Sequence, residues 1–392
     1  MSHLSTVFFK EIRDNFRDRR TMLSALVFGP LFGPVMFAVL ISMTLKQATD
    51  SKTQPLELAV IGADYAPSLL HYLESEDTEI EPIELTTDEA VEAVKDGTYE
   101  LVLIIDEAFG EQWTEARSAR VSIVMDNSDS SISRKGRRAR GMISGYSRQI
   151  GAMRLLARGV DPSVMRPITI DEIDTSTPSG RAALILGMLS YFLLFAMLAG
   201  GMYLAIDTTA GERERGSLEP LLTLPVKRST LLIGKLLATC LFMSVSLALA
   251  LIAFAVVLQF MPLQQLGMSV DFGPKQVITA FVVTVPFALI GAALLTVVAS
   301  FTKTFKEAQS YMNITMLLPT LPIIVAAVNN LRPSLTWMTV PSMSQHLLIL
   351  DLVKGEPLQP LFVAVSIGSS LIIGTILTLI AIHLYKREGL LG

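Results

Sequence analysis

The sequence predicts an α-helical polytopic membrane protein with six transmembrane helices, an N-terminal amphipathic elbow helix, and an α/β extracytoplasmic domain between the first and second spans. Three observations carry that fold class. Of the 392 residues, 51% are hydrophobic and 17% are charged, against roughly 25% charged in soluble domains. Six runs without a formal charge, each 24 to 28 residues long, exceed the ~20 residues that cross a bilayer as a helix. Finally, 24 of the 36 acidic residues lie between Lys46 and Gly180, which sets that stretch apart as a water-exposed domain.

The elements follow in order. Residues 1–21 form a cytoplasmic elbow. Leu4, Val7, Phe8, Ile12 and Phe16 share one helical face, while Lys10, Arg13, Arg17 and Arg20 recur at three- and four-residue steps on another, the pattern of a helix lying along a membrane surface. Such a helix either anchors to anionic headgroups or also rests on a cytoplasmic partner, and the pattern fits both. The first span, 22–45, is too long for a signal peptide and follows Glu11, Asp14 and Asp18 without a clear cleavage motif, so it is retained in the mature chain. The other spans are 182–206, 236–260, 276–302, 308–331 and 358–385.

Orientation follows from Lys and Arg near the span ends. Lys10, Arg13, Arg17, Arg19 and Arg20 precede the first span, and Arg213, Arg215, Lys227 and Arg228 lie in the 207–230 loop. Lys303 with Lys306, and Lys386 with Arg387 in the tail 386–392, continue the cytoplasmic set. The positive-inside rule then places both termini in the cytoplasm and 46–180 outside the cell membrane. Segment 332–357 holds another uncharged stretch, 333–350, but a full crossing there would put Lys386 and Arg387 outside. Pro333, Pro341, Ser342, Gln345 and His346 also suit a lipid-facing helix poorly. We read it as an outer re-entrant or interfacial hairpin shielded by other helices; an ordinary, partly buried loop is the plainer alternative.

Within 46–180, the run LELAVIG ending at Gly62 reads as a strand and Ala66 to Leu73 as a helix. IEPIEL, the helix-like TTDEAVEAVKDG closed by Gly97, and the strand-like YELVLIID follow, an alternation that gives an α/β domain. After the strand-like RVSIVMD, residues 130–158 form a long helix with Ile143, Tyr146, Ile150, Met153 and Ala157 on one stripe. Residues 50–129 carry 20 acids against 4 bases, and 130–160 carry 8 bases and no acid. The cluster Arg134, Lys135, Arg137, Arg138 and Arg140 therefore reads as ion pairs within the domain; outside the membrane it has no nucleic acid to bind.

Chemistry of its own is not legible in this chain. There is no G-x-x-x-x-G-K-[ST] loop to cradle phosphates, so nucleotide hydrolysis belongs to another polypeptide. No H-E-x-x-H or Cys/His spacing suggests a metal, and His3, His71, His346 and His383 are scattered. No G-x-S-x-G elbow supports a hydrolase. Cys240, the single cysteine, sits in an apolar run and reads as a small buried hydrophobe.

The informative stretch is the loop DTTAGERERGSLEPLLTLPVKRSTLLIGKLLA, from Asp207 to Ala238. A charged helix end meets Gly216, and a second short helix begins with Ser217 placed to cap it and Pro220 in its first turn. Leu218, Leu221 and Leu222 form a small apolar face flanked by Glu212, Arg213, Glu214, Arg215 and Glu219, the composition of a docking surface. This loop resembles the coupling region of ABC-2 type exporter permeases, an E-R-E-x-G-[ST]-L-E-x-L-L-x-x-P run between the second and third spans. The matching positions are Glu212, Arg213, Glu214, Gly216, Ser217, Leu218, Glu219, Leu221, Leu222 and Pro225, with Lys235 following in G-K-L-L.

The resemblance covers nearly the whole chain and is nearest the sodium-efflux, NatB-like branch of that family, through RDRRTMLSALVFGPLFGP, VMDNSDSS, RLLARGVDP and YKREGLLG. It implies a cytoplasmic ABC ATPase subunit that binds the Mg-ATP, a second permease copy forming a homodimer, and ATP-driven export, with this chain a non-catalytic permease in the lipid bilayer. Sodium is the implied cargo. The span interiors offer no Asp or Glu for a cation; Asn313, Thr315, Asn329 and Asn330 are the candidate pathway residues, with interhelical hydrogen bonding as their plainer reading. Export of a lipid, drug or peptide fits the same architecture, and so does a membrane-anchored sensor or scaffold that moves nothing.

Overall fold

The computed structural model describes residues 3–53, 55–165, 178–223, 225–266, 270 and 272–386. These fall into two compact units, residues 1–45 with 175–392, and residues 46–174. Of the expected tail, 387–392 lie outside the described residues. The first unit opens with α1 (His3–Arg17) and α2 (Thr21–Lys46). Asp18 separates the two helices, its carboxylate accepting from the Thr21 amide at 3.3 Å and hydroxyl at 2.8 Å, which satisfies donors that the first turn of a helix leaves open.

The inserted unit is an α/β domain. Its order is β1 (Leu56–Ile61), α3 (Pro67–Ser75), β2 (Thr78–Pro82), α4 (Thr87–Lys95), β3 (Leu101–Ile105), α5 (Phe109–Thr114), β4 (Val121–Met125) and α6 (Ser130–Ala157). The sheet runs β2-β1-β3-β4, with β1 parallel to both neighbours and β4 antiparallel to β3. Leu56, Leu58, Val60, Leu101, Leu103 and Ile105 bury one face against Leu69, Leu73, Phe109, Ala139 and Tyr146. Ala59 and Val102 bury the other against Ala90 and Val94 of α4. Helices on both faces explain why these strands read as apolar runs. Thr86 and Glu89 close a reciprocal capping box at the start of α4.

α6 differs from its expected stripe. Ala139 and Tyr146 are buried and Ile143 and Ile150 pack against them, but Met153 is exposed, because the last turns are held by Arg154 instead. Its guanidinium lies 4.6 Å over the Trp113 ring and donates to the Trp113 carbonyl at 2.9 Å. Trp113 is stacked between Phe109 and Tyr146. Trp113→Ala is expected to cost about 3–5 kcal/mol, read as a lowered melting transition of the purified chain. The acid-to-base pairing expected of the domain is formed by Lys135 with Glu100, and by Arg138 3.9 Å from Asp77. Among the described residues no ion pair forms at Arg134, Arg137 or Arg140, which are exposed.

The helical unit resumes with α7 (Gly187–Glu214), α8 (Leu218–Thr223), α9 (Arg228–Phe260), α10 (Pro274–Thr284), α11 (Phe287–Ser300), α12 (Phe305–Val328), α13 (Leu335–Met338), α14 (Met343–Lys354) and α15 (Pro360–Tyr385). Among the described residues, α2, α7, α9, α12 and α15 are each long and apolar enough to cross a membrane. The pair α10 and α11, bent by 45°, makes a sixth if it is one span. The expected continuous run at 276–302 is therefore broken, at Val285 and Pro286, because proline has no amide hydrogen to continue the helical ladder. Pro319 and Pro322 likewise accompany a turn at 316–319 inside α12.

α7 is the central helix. Leu189, Leu193, Met197, Leu204 and Ile206 are buried, and α2, α9, α11 and α14 pack around it. α2 approaches through Gly33, where an added Cβ would lie 2.7 Å from the Phe192 Cβ. The Ser24 hydroxyl donates to the Ala199 carbonyl at 3.0 Å from a π-helical turn, Ser24–Phe28. Segment 332–357 is not a loop: α14 is buried from Met343 to Ile349. Gln345 accepts from the Ser342 amide at 2.7 Å and donates to Ser370 of α15 at 3.0 Å, and His346 Nδ1 lies 2.6 Å from the Ser190 hydroxyl of α7. That buried network satisfies the side chains of Gln345 and His346, two of the polar groups that made the segment unsuited to lipid.

Candidate coupling site

The end of α7 is built by its own backbone first. Asp207–Gly211 forms a π-helical turn, Glu212–Glu214 completes the helix, and Gly216, at φ +66°, reverses the chain, a left-handed conformation that glycine adopts without strain. The Ser217 hydroxyl donates to the Glu212 carbonyl at 3.2 Å and so helps to close α7. α8 then runs from Leu218 to Thr223, with Pro220 in its first turn.

Four consecutive charges leave this helix end in four directions, as the 100° step of a helix requires. Glu212 is 5% exposed and pairs with Lys235 of α9, itself 1% exposed, whose ammonium also donates to the Thr208 carbonyl at 2.8 Å. Arg213 donates to the carbonyls of Thr302 at 2.7 Å and Ser300 at 3.1 Å, at the end of α11, where a helix leaves acceptors open and favours a cation. Glu214 accepts from the Phe305 amide at 2.6 Å and so binds the start of α12. Arg215 turns back to Asp207 at 2.7 Å, and that hydrogen bond holds its guanidinium above the ordinary arginine range.

These contacts redistribute the roles expected from sequence. Glu212 faces inward and offers no carboxylate to a partner. Gly216 and Pro225 are exposed, as are Glu214 and Arg215 beside their anchors, while Leu221 is half-buried. The side chains of Leu218, Glu219 and Leu222 lie outside the described residues. The candidate pathway residues are not brought together: Asn313, Asn329 and Asn330 are exposed on α12 and just beyond it, and buried Thr315 donates to the Tyr311 carbonyl of its own helix at 2.9 Å.

α1 belongs to the same place, which the sequence reading missed. Its Phe8 and Ile12 pack with Ala25, Leu204, Ala238 and Phe242, so the helix rests on α7 and α9. Gly234 makes room for it, since an added Cβ there would lie 2.6 Å from Val7 Cγ1. Glu11 and Asn15 are 3% and 2% exposed. The signal was present, because positions 8, 11, 12 and 15 share one helical face. Lys10, 3.0 Å from Glu11, is desolvated by its surroundings, yet the neighbouring carboxylate outweighs this and raises its pKa.

A separate open cavity of about 460 Å³ is lined by Leu23, Ser24, Phe28, Tyr203, Phe305 and Gln309. Gln309 donates to the Tyr203 hydroxyl at 3.2 Å, and among the described residues no charged side chain lines the space.

The sequence has relatives among known proteins. The chain is 27% identical over 360 residues to the ABC transporter permease protein NatB of Bacillus subtilis (strain 168), an alignment that covers 90% of each chain. The family model described as ABC-2 family transporter protein matches residues 20–383. With that match spanning the α/β insertion, the charged end of α7 and every membrane-crossing helix up to the last turn of α15, the chain belongs to the ABC-2 family of transporters.

Proposed function

We propose that this chain is the membrane-spanning subunit of an ATP-driven exporter, and that a separate cytoplasmic ATPase docks on the loop carrying α8. The observation that carries this reading is the anchoring of Glu212, Arg213 and Glu214 to three different helices. A force applied to α8 is delivered at once to α9, α11 and α12, because each adjoining charge is tied to a different helix. A solvated turn has no need of such ties. The docking contacts are then Leu218, Glu219, Leu221, Leu222 and Pro225, with Glu212, Arg213 and Glu214 setting the position of the surface.

In this reading the partner supplies the ATP and magnesium site, two permease copies form the transporter, both termini are cytoplasmic, and 46–180 faces outward with 332–357 re-entering from that side. Sodium is the cargo proposed from resemblance to the NatB-like permeases. The uncharged, aromatic-lined cavity at Tyr203 and Phe305 favours a second reading, in which the cargo is an amphipathic lipid or drug.

The test is purification of the chain with its associated ATPase and reconstitution into liposomes. ATP-dependent sodium flux supports the first reading, and ATP-dependent movement of a fluorescent lipid with no sodium dependence supports the second. Flux by the permease alone, or ATPase association without any flux, contradicts an ATP-driven exporter.

A further inference from the structure

Among the described residues, the buried formal charges are Glu11, Glu212 and Lys235, and all three lie in one place. Glu212 pairs with Lys235, and Glu11 lies within the electrostatic reach of Glu212. They come from α1, α7 and α9. Burying charge is costly, and well-packed apolar residues commonly hold such a position as firmly or more so. Stability alone is therefore a poor reason for this cluster.

Its hydrogen bonding is also incomplete. An ammonium has three donors, and those of Lys235 have two acceptors here, Glu212 and the Thr208 carbonyl. Among the described residues the Tyr385 hydroxyl, in the last turn of α15, is buried without a well-formed hydrogen bond, yet it lies close enough to the Lys235 ammonium to receive one. Asn15 Oδ1, one turn beyond Glu11, is a second buried acceptor without a partner. A buried polar group left open costs the free energy of its lost hydration, so the cluster has an unused alternative arrangement within reach.

We propose that Lys235 is a positioning residue with two arrangements: the one seen here, bonded to Glu212, and a second in which its ammonium moves onto the Tyr385 hydroxyl as α8 is displaced. The exchange loosens α7 from α9 and engages α15, so movement of the ATPase-docking loop reaches α9 and α15 together. This rests on the docking reading above and adds the side chains that transmit it.

Tyr385→Phe is the cleanest probe, because it removes a hydroxyl without a well-formed hydrogen bond in the arrangement seen here and leaves the ring packed on Leu232 and Ala381. Lys235→Met removes the exchanging group. The permease is reconstituted with its ATPase, and hydrogen–deuterium exchange at the first turns of α9 and the last turns of α15 is measured with and without ATP. This readout is independent of the cargo.

In the wild type, ATP is expected to change the exchange rate at both places. In Tyr385→Phe the effect of ATP falls by about fivefold, the factor one net hydrogen bond represents, with melting temperature and ATPase association unchanged; Lys235→Met abolishes it. If Lys235→Met does not fold, Tyr385→Phe decides alone. An ATP response in Tyr385→Phe equal to wild type overturns the proposal, as does the lack of any response in wild type. Loss of ATPase association in Tyr385→Phe also overturns it, since the residue then shapes the docking surface. Failure of the wild type to bind an ATPase defeats the docking reading itself.

Discussion

Glu212→Ala is expected to destabilise the protein by about 3–5 kcal/mol, the range seen when one partner of a buried ion pair is removed. The pair has no access to water: Lys235 is 1% exposed and Glu212 5%. Once the carboxylate is gone, the ammonium keeps the Thr208 carbonyl at 2.8 Å and can gain only the neutral Tyr385 hydroxyl, so its charge stays buried without a counter-charge. The measurement is the midpoint of thermal unfolding of the purified chain in detergent. The double variant Glu212→Leu with Lys235→Met is expected to recover most of the loss, because it removes both charges together. An alanine variant as stable as wild type would mean that the pair is not buried in the folded protein. Recovered stability without recovered response to ATP, in the same double variant, separates the structural contribution of the pair from the transmitting one.

Gly200→Val is expected to prevent folding. An ideal Cβ at position 200 would sit 2.3 Å from Ser246 Cβ and 3.2 Å from the Phe242 carbonyl oxygen. Both belong to rigid parts of α9, so the two central helices would have to separate. Gly201 meets the same limit, its Cβ falling 2.5 Å from Met243 Cγ. Close approach through small residues is the main source of attraction between helices in lipid, where burial of apolar surface contributes little. Even Gly200→Ala is expected to cost at least the ~1–3 kcal/mol typical of overpacking. Adding Ser246→Gly to Gly200→Ala removes the clashing atom at the expense of one hydrogen bond, from Ser246 to the Ala196 carbonyl at 2.7 Å. Yield of monodisperse protein is the readout: very low for the valine variant, reduced for alanine, and partly restored in the pair.

The two glycines show where the sequence is informative and where it is silent. Lipid excludes charge, so charge-free runs are where spans are expected; five of these runs overlap single helices long and apolar enough to cross a membrane, and 276–302 overlaps the bent pair α10 and α11. Lipid and protein interior are both apolar, however, so α7 and α9 carry no periodic signal saying which side faces a neighbour. The central place of α7, and the exposure of Asn313 and Asn329, had no counterpart in composition. That Pro286 breaks the 276–302 run depends on the packing of α10 and α11 around it. In the inserted unit the helices were legible because one side of each meets water, and the strands were legible as short apolar runs because helices cover both faces of the sheet. The short α5 escaped notice because six residues, FGEQWT, are too few to show a period.

The candidate site was legible as a location and less so as a mechanism. The run from Glu212 to Pro225 reads as a docking surface, since leucines flanked by charges look the same whether the charges face solvent or neighbours. Its first acid is in fact buried, and its next two charges bind the ends of α11 and α12. A sequence cannot distinguish a capping arginine from a docking one, because both stand just past a helix end, and the carbonyls of Ser300 and Thr302 are far away along the chain.

The central claim, that α8 and the residues after it meet the ATPase, is tested most directly by photo-crosslinking from single positions in the assembled complex. A crosslinking amino acid at Leu221 or Pro225 is predicted to give an adduct with the ATPase subunit, and one at buried Lys235 is predicted to give none. Adducts from neither Leu221 nor Pro225, with the ATPase bound and crosslinking elsewhere on the chain, would contradict the account.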